Sequence, residues 1–135
     1  MDQSTRSDVE TVRSAALHLH KVLIDTVRLE HEREYGRIGS PAELLQLVAF
    51  DPRFAWLRPL SRQIVALDDQ LSGEWLDPAF ARVQVEDTLS DEGFEEPYLD
   101  CLQSAPNAVL AHAALLRALQ ALPPAAAMYA APAEA

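Results

Sequence analysis

Apolar side chains recur at helical spacing through most of the first 122 residues. Val9, Val12, Ala16, Leu19, Leu23 and Val27 step by three and four, which holds all six on one side of a helix. Ser7-x-x-Glu10 is a capping-box pattern ahead of them, and Gly36 and Gly39 supply the stop. The pattern predicts a proline-free helix from Ser7 to about Tyr35, roughly 42 Å long at 1.5 Å per residue. Ser40-Pro41-Ala42-Glu43 combines a capping serine, proline at the first helical position and a glutamate three residues after the cap. It predicts a short apolar helix over 43–50. Asp51-Pro52 repeats the device and predicts one turn over 52–57, with Pro59 marking a break before a helix over 59–71. Leu57, Leu60, Ile64, Leu67 and Leu71 are the stripe of that helix.

Ser72-Gly73 closes the helix, and Asp77-Pro78 opens another that runs to about residue 89. Val83 and Val85 alternate with polar neighbours as in a strand, but the cap favours helix. Residues 90–96 read as an acidic loop around Gly93, Pro97 opens a short helix to 103, and a last helix covers about 107–122. Residues 123–135, with seven Ala and three Pro, hold too little bulky surface to pack and read as a mobile tail. The expected architecture is one all-α domain over 1–122, a helical bundle of three or four long helices with short connecting helices.

At 49% hydrophobic and 24% charged, the composition is that of a globular chain, which excludes wholesale disorder. The lone Cys101 forms no internal disulfide, which fits a reducing compartment. The net charge of −10 is unevenly placed. Residues 1–62 hold nine bases and nine acids, whereas residues 63–135 hold twelve acids against Arg82 and Arg117 alone. Such a surface repels phosphate backbones and anionic lipid, so neither nucleic acid nor membrane is an expected partner. No apolar run nears the roughly 20 residues of a membrane span, and the first residues lack a signal-peptide pattern, so a cytoplasmic location is expected.

Pro41-Ala42-Glu43-Leu44-Leu45-Gln46-Leu47 and Phe54-Ala55-Trp56-Leu57-Arg58-Pro59-Leu60-Ser61, with Leu29-Glu30-His31-Glu32-Arg33-Glu34-Tyr35-Gly36 before them, carry a resemblance. Over roughly residues 15–75 the chain resembles a family of small uncharacterised bacterial helical proteins. The resemblance implies a bacterial source and brings no chemistry with it.

Four histidines raise the question of a metal. His20 and His31 lie eleven residues apart, about 16 Å of helical rise, and His18 and His20 point away from each other. No Glu is followed by His at the third position, so the carboxylate-histidine pairs of di-iron bundles are missing. Asp68-x-Gln70-x-Ser72-Gly73 begins like a calcium loop but places Ala79 where a bidentate Glu is needed. No metal and no cofactor is expected. There is no nucleophile elbow or phosphate loop, and Cys101 has Asp100 beside it, so no catalytic residue is assigned and an enzyme is not expected.

Two binding constellations remain. Trp56, Arg58 and Arg62 form a candidate anion or ligand site, because two guanidinium groups at i and i+4 repel unless an anion lies between them. Pairing of the two arginines with Asp68, Asp69, Glu86 or Asp87 is the plainer expectation. Residues 86–100 carry seven carboxylates interleaved with aromatics. Glu86, Asp87, Asp91, Glu92, Phe94, Glu95, Glu96 and Tyr98 form a candidate surface for a basic partner, against the plainer reading of a solvated loop pinned by its aromatics. Leu17, Ile24 and Leu29 add apolar surface to the first helix beyond its main stripe, which points to a homo-oligomer, most simply a dimer. The expected function is association with protein, with a small-ligand, anion or metal-binding bundle as the alternative.

Overall fold

The computed structural model describes residues 3–124, so the expectation of a tail lies, from residue 125 on, outside the described residues. Those residues form seven helices and no strand. They are α1 (Gln3–Tyr35), α2 (Pro41–Phe50), α3 (Pro52–Ala55), α4 (Arg58–Ser72), α5 (Pro78–Leu89), α6 (Glu92–Ser104) and α7 (Pro106–Gln120). The all-helical class is as the periodicity requires. The expectation of three or four long helices is corrected: one helix of 33 residues is accompanied by helices of at most 15.

The buried residues of α1 are Val9, Val12, Ala16, Leu19, Leu23 and Val27, the six that the spacing picks out. The helix begins at Gln3, ahead of the Ser7 capping box. Ser7 lies inside it, where its carbonyl accepts a hydrogen bond from the Thr11 hydroxyl at 3.0 Å. Arg6, one turn before Val9, donates to the Leu71 and Gly73 carbonyls at the end of α4, which ties down this extra turn. At the other end Gly36 takes φ +91°, a left-handed conformation open to glycine, and its N–H bonds the Glu32 carbonyl at 2.9 Å.

The polar start signals at Ser40, Asp51 and Asp77 act where the sequence puts them, unlike Ser7. Ser40 accepts from the Glu43 N–H at 3.1 Å, while the Glu43 carboxylate reaches back to the Gly39 N–H at 2.8 Å. Asp51 serves two helices. Its N–H closes α2 on the Leu47 carbonyl, and its carboxylate accepts from the Arg53 N–H to start α3. Asp77 caps α5 through the Phe80 N–H at 3.1 Å.

The acidic loop expected over 90–96 is instead the first half of α6. Asp91 caps it by accepting from the Gly93 N–H, and Glu92 and Glu95 sit in the first turn, where the helix dipole favours carboxylates. Pro97 is inside the helix rather than at its start. An interior proline costs about 3 kcal/mol, but Phe94, Tyr98 and Cys101 recur at i, i+4 and i+7 and are all buried. Burial of a large apolar side chain is worth about 1.5–3 kcal/mol, so the two rings together outweigh the proline.

α1 lies between α7 and α4, α5 packs beside α4, and α6 joins α5 to α7, so five helices close a circuit around one core. α3 attaches to the C-terminal part of α1, where Arg53 pairs with Glu34 and lies over the Tyr35 ring. α2 has no fully buried residue; only Leu44, Leu47 and Val48 rest partly against the core. No helix among the described residues is long and apolar enough to cross a membrane.

Candidate functional site

The three residues of the expected anion site do not converge. Trp56 turns toward α6, with its ring centroid 5.3 Å from that of Phe94. Arg58 turns toward α2 and donates to the Ala49 carbonyl at 2.8 Å, satisfying a carbonyl in the last turn of that helix. A cavity of about 210 Å³ beside it is lined by His20, Val48, Phe54 and Leu57, without Trp56 or Arg62. Arg62 is exposed and engages no acid among the described residues. The plainer expectation fails as well, because Asp68 is held by Arg13 at 2.7 Å and Glu86 by Arg82 at 3.4 Å.

Among the described residues no three His, Cys, Asp or Glu side chains are grouped so as to hold a metal ion. His31 stacks obliquely on Tyr35 at 4.9 Å. Asp25 meets Arg28 at 3.6 Å, the i,i+3 partner that its spacing offers. Cys101 is buried, and desolvation, aided by Glu30 and Asp100, pushes its thiol up to about 11, so it is a protonated core side chain at neutral pH.

The candidate partner surface divides in two. Phe94 and Tyr98 are core residues, which corrects their placing as exposed anchors; Tyr98, unlike Phe94, also lines a groove. Phe94 is wedged between Trp56 and Tyr98, with ring centroids 5.3 and 5.0 Å away. Asp87, Asp91, Glu92, Glu95 and Glu96 remain exposed and Glu86 half-exposed, so the carboxylates face out while the rings that alternate with them face in. Helical geometry separates the two sets, because 94 and 98 share a face that 92, 95 and 96 do not.

That arrangement builds a groove that sequence reasoning missed. Glu86 and Leu89 of α5, Ser90 just after it, Glu95, Tyr98, Leu99 and Leu102 of α6, and His112 and Leu116 of α7 line a groove of about 300 Å³. Tyr98 and His112 meet at its floor through a hydrogen bond between the phenol and Nδ1. Burial pushes the Tyr98 pKa up and the His112 pKa down. Both groups are therefore neutral at pH 7, an arrangement satisfied when the phenol donates to Nδ1. No motif announces this pair; the residues are fourteen apart and on different helices.

A stability consequence follows from His112. Its imidazole binds a proton less readily in the folded chain than in the unfolded one, whose pKa is near 6.5. Its stabilising contribution is therefore complete above pH 6.5 and is lost as pH falls from there toward the depressed folded value. We expect the urea midpoint of the wild type, relative to a His112→Gln variant, to fall as pH is lowered from 8 to 5.5. A difference that stays flat or changes in the opposite direction would contradict the burial of the ring.

The outer face of α2 is a second surface. Ala42, Leu45, Gln46, Ala49 and Phe50 line a depression of about 420 Å³ with no charged residue. Leu45 is 70% and Phe50 76% exposed. On α1, by comparison, Ile24 packs partly against the core, and Leu17 and Leu29 are separate, half-exposed positions. Comparison of the chain with protein-family models, with curated proteins and with solved structures finds no match in any of the three.

Proposed function

We propose that this protein acts by association rather than catalysis, and that its first partner is a second copy of itself, joined through the outer face of α2. The observation that carries the reading is an uncharged stripe of Ala42, Leu45, Gln46, Ala49 and Phe50 on a helix none of whose residues is fully buried. Ala42, Leu45 and Ala49 follow a three-four spacing, and the small alanines let a second helix approach closely. An exposed contiguous apolar face of this kind is a recurrent mark of an interaction site. Charge distribution points to the same half of the molecule. Residues 1–62 balance nine bases with nine acids, so two copies meet there without the repulsion that the other half, with twelve acids and two bases, would impose. A cytoplasmic location belongs to the same proposal.

Sedimentation equilibrium over a concentration series tests it. The wild type is expected to show a mass rising above the 14.9 kDa of one chain. Leu45→Asp, at a position that contributes little to the core, is expected to keep the helical circular dichroism and remain monomeric. A wild type that stays at one chain up to millimolar concentration, or an unchanged association of L45D, would remove the proposal.

A further inference from the structure

We infer that the groove between α5, α6 and α7 receives an apolar side chain presented on a cationic segment of a partner protein. The inference is independent of the α2 face and uses none of its residues. The groove is built to hold apolar matter. Leu89, Leu99, Leu102 and Leu116 form its walls, and its two polar floor groups, Tyr98 and His112, are already bonded to each other. The phenol proton is spent on Nδ1, so the Nε2–H of His112 is the one donor that this pair still offers, in a lining that is otherwise mostly leucine. Its volume of about 300 Å³ stands at the lower end of ligand pockets, roughly 300–1,000 Å³. That suits one anchoring side chain inserted from a larger partner.

The rim decides the charge of that partner. Glu86 and Glu95 border the groove. Glu86 shares Arg82, but Glu95 meets no base among the described residues, and neither do the exposed Asp87, Glu92, Glu96 and Asp100 on the same two helices. The chain has little cation of its own to offer here. Arg82 and Arg117 are the only bases after residue 62, and Arg82 is also bound to the Leu122 carbonyl at 2.8 Å. A cationic ligand therefore meets exposed carboxylates that no base among the described residues already engages. From residue 92 to residue 100 the carboxylates extend along about 12 Å of helix, farther than a small amine reaches and comparable to two turns of a partner helix. A second copy, itself net −10, is disfavoured on this face, as is any nucleic acid.

Fluorescence anisotropy with labelled twelve-residue peptides tests the inference on the full chain. One set carries four lysines around a central Leu, Ile, Met, Phe or Trp. The controls carry a central Gly, or four glutamates in place of the lysines. At least one lysine peptide with an apolar centre is expected to bind saturably, with binding weakened about tenfold by the Gly replacement and abolished by the glutamates. Glu95→Lys and Leu99→Asp, both at exposed positions, are each expected to weaken binding about tenfold while leaving helical circular dichroism unchanged. Leu45→Asp is expected to leave it intact, which separates this result from that for the α2 face. Equal binding of the Gly peptide would reduce the site to a diffuse acidic patch and overturn the inference. Binding of the glutamate peptide, or no binding by any lysine peptide at millimolar concentration, would overturn it too.

Discussion

Phe94→Ala is expected to lower the thermal midpoint by about 12–20 °C. The ring is fully buried and touches aromatic neighbours on two sides, Trp56 from the turn before α4 and Tyr98 from its own helix. Truncating a buried Phe to Ala costs about 3–5 kcal/mol, because the lost transfer energy is joined by the cavity left behind. Against a total stability of about 5–15 kcal/mol for a domain this size, that is a large fraction. A shift of about 4 °C per kcal/mol at this chain length gives the stated range. The loss is larger here than at an average core site for a second reason. Phe94 is one of the residues whose burial outweighs Pro97, so its removal weakens the case for α6 being helical before that proline. Trp75→Ala is the matched control, since Trp75 is 88% exposed and a surface change usually stays within about 0.5 kcal/mol. A thermal melt followed at 222 nm checks both. Similar midpoints for F94A and W75A would mean that residues 92–96 are the solvated loop suggested by local sequence.

Leu23→Ala is expected to cost about 2–5 kcal/mol, whereas Leu110→Ala should cost less than about 0.5 kcal/mol. The two substitutions remove the same atoms and differ in what surrounds them. Leu23 is fully buried on the stripe of α1, the helix that packs against both α4 and α7. Leu110 lies on α7 and is 69% exposed. A cavity at Leu23 opens at the common edge of the helical circuit, where neighbours held from two sides collapse poorly. Urea denaturation, with the slope checked for constancy, gives the two stabilities. Equal effects would mean that the α1 stripe does not face the core.

The stripe of α1 was legible because one periodicity runs unbroken through it, and the sequence offered no competing face of comparable strength. The starts of α2, α3 and α5 were legible because an N-cap is a local device: a serine or aspartate oxygen bonds an N–H two or three residues on, whatever else the chain does. Ser40, Asp51 and Asp77 all act in this way. The same local reading failed at Pro97, where proline and a run of acids speak against a helix interior while the burial of Phe94 and Tyr98, a non-local quantity, carries it. It failed at Ser7 for a related reason, since the turn before it is held by a contact from Arg6 to the distant end of α4. The candidate site was less legible than the fold. The carboxylates of 86–100 were visible as charge, but the groove that they border needs Leu116 and His112 from α7, and nothing in the spacing of those residues points to α6.

Helical class, most of the starts and the inward side of α1 follow from the order of the residues, because they depend on interactions between neighbours three or four positions apart. The tertiary structure decided which apolar faces stay uncovered. Leu44, Leu47 and Val48 lean on the core while Leu45 and Phe50 on the same short helix do not, and Tyr98 meets His112 across fourteen residues of chain. These outcomes depend on how five helices close around a shared interior, and the free energy of that closure belongs to no single segment.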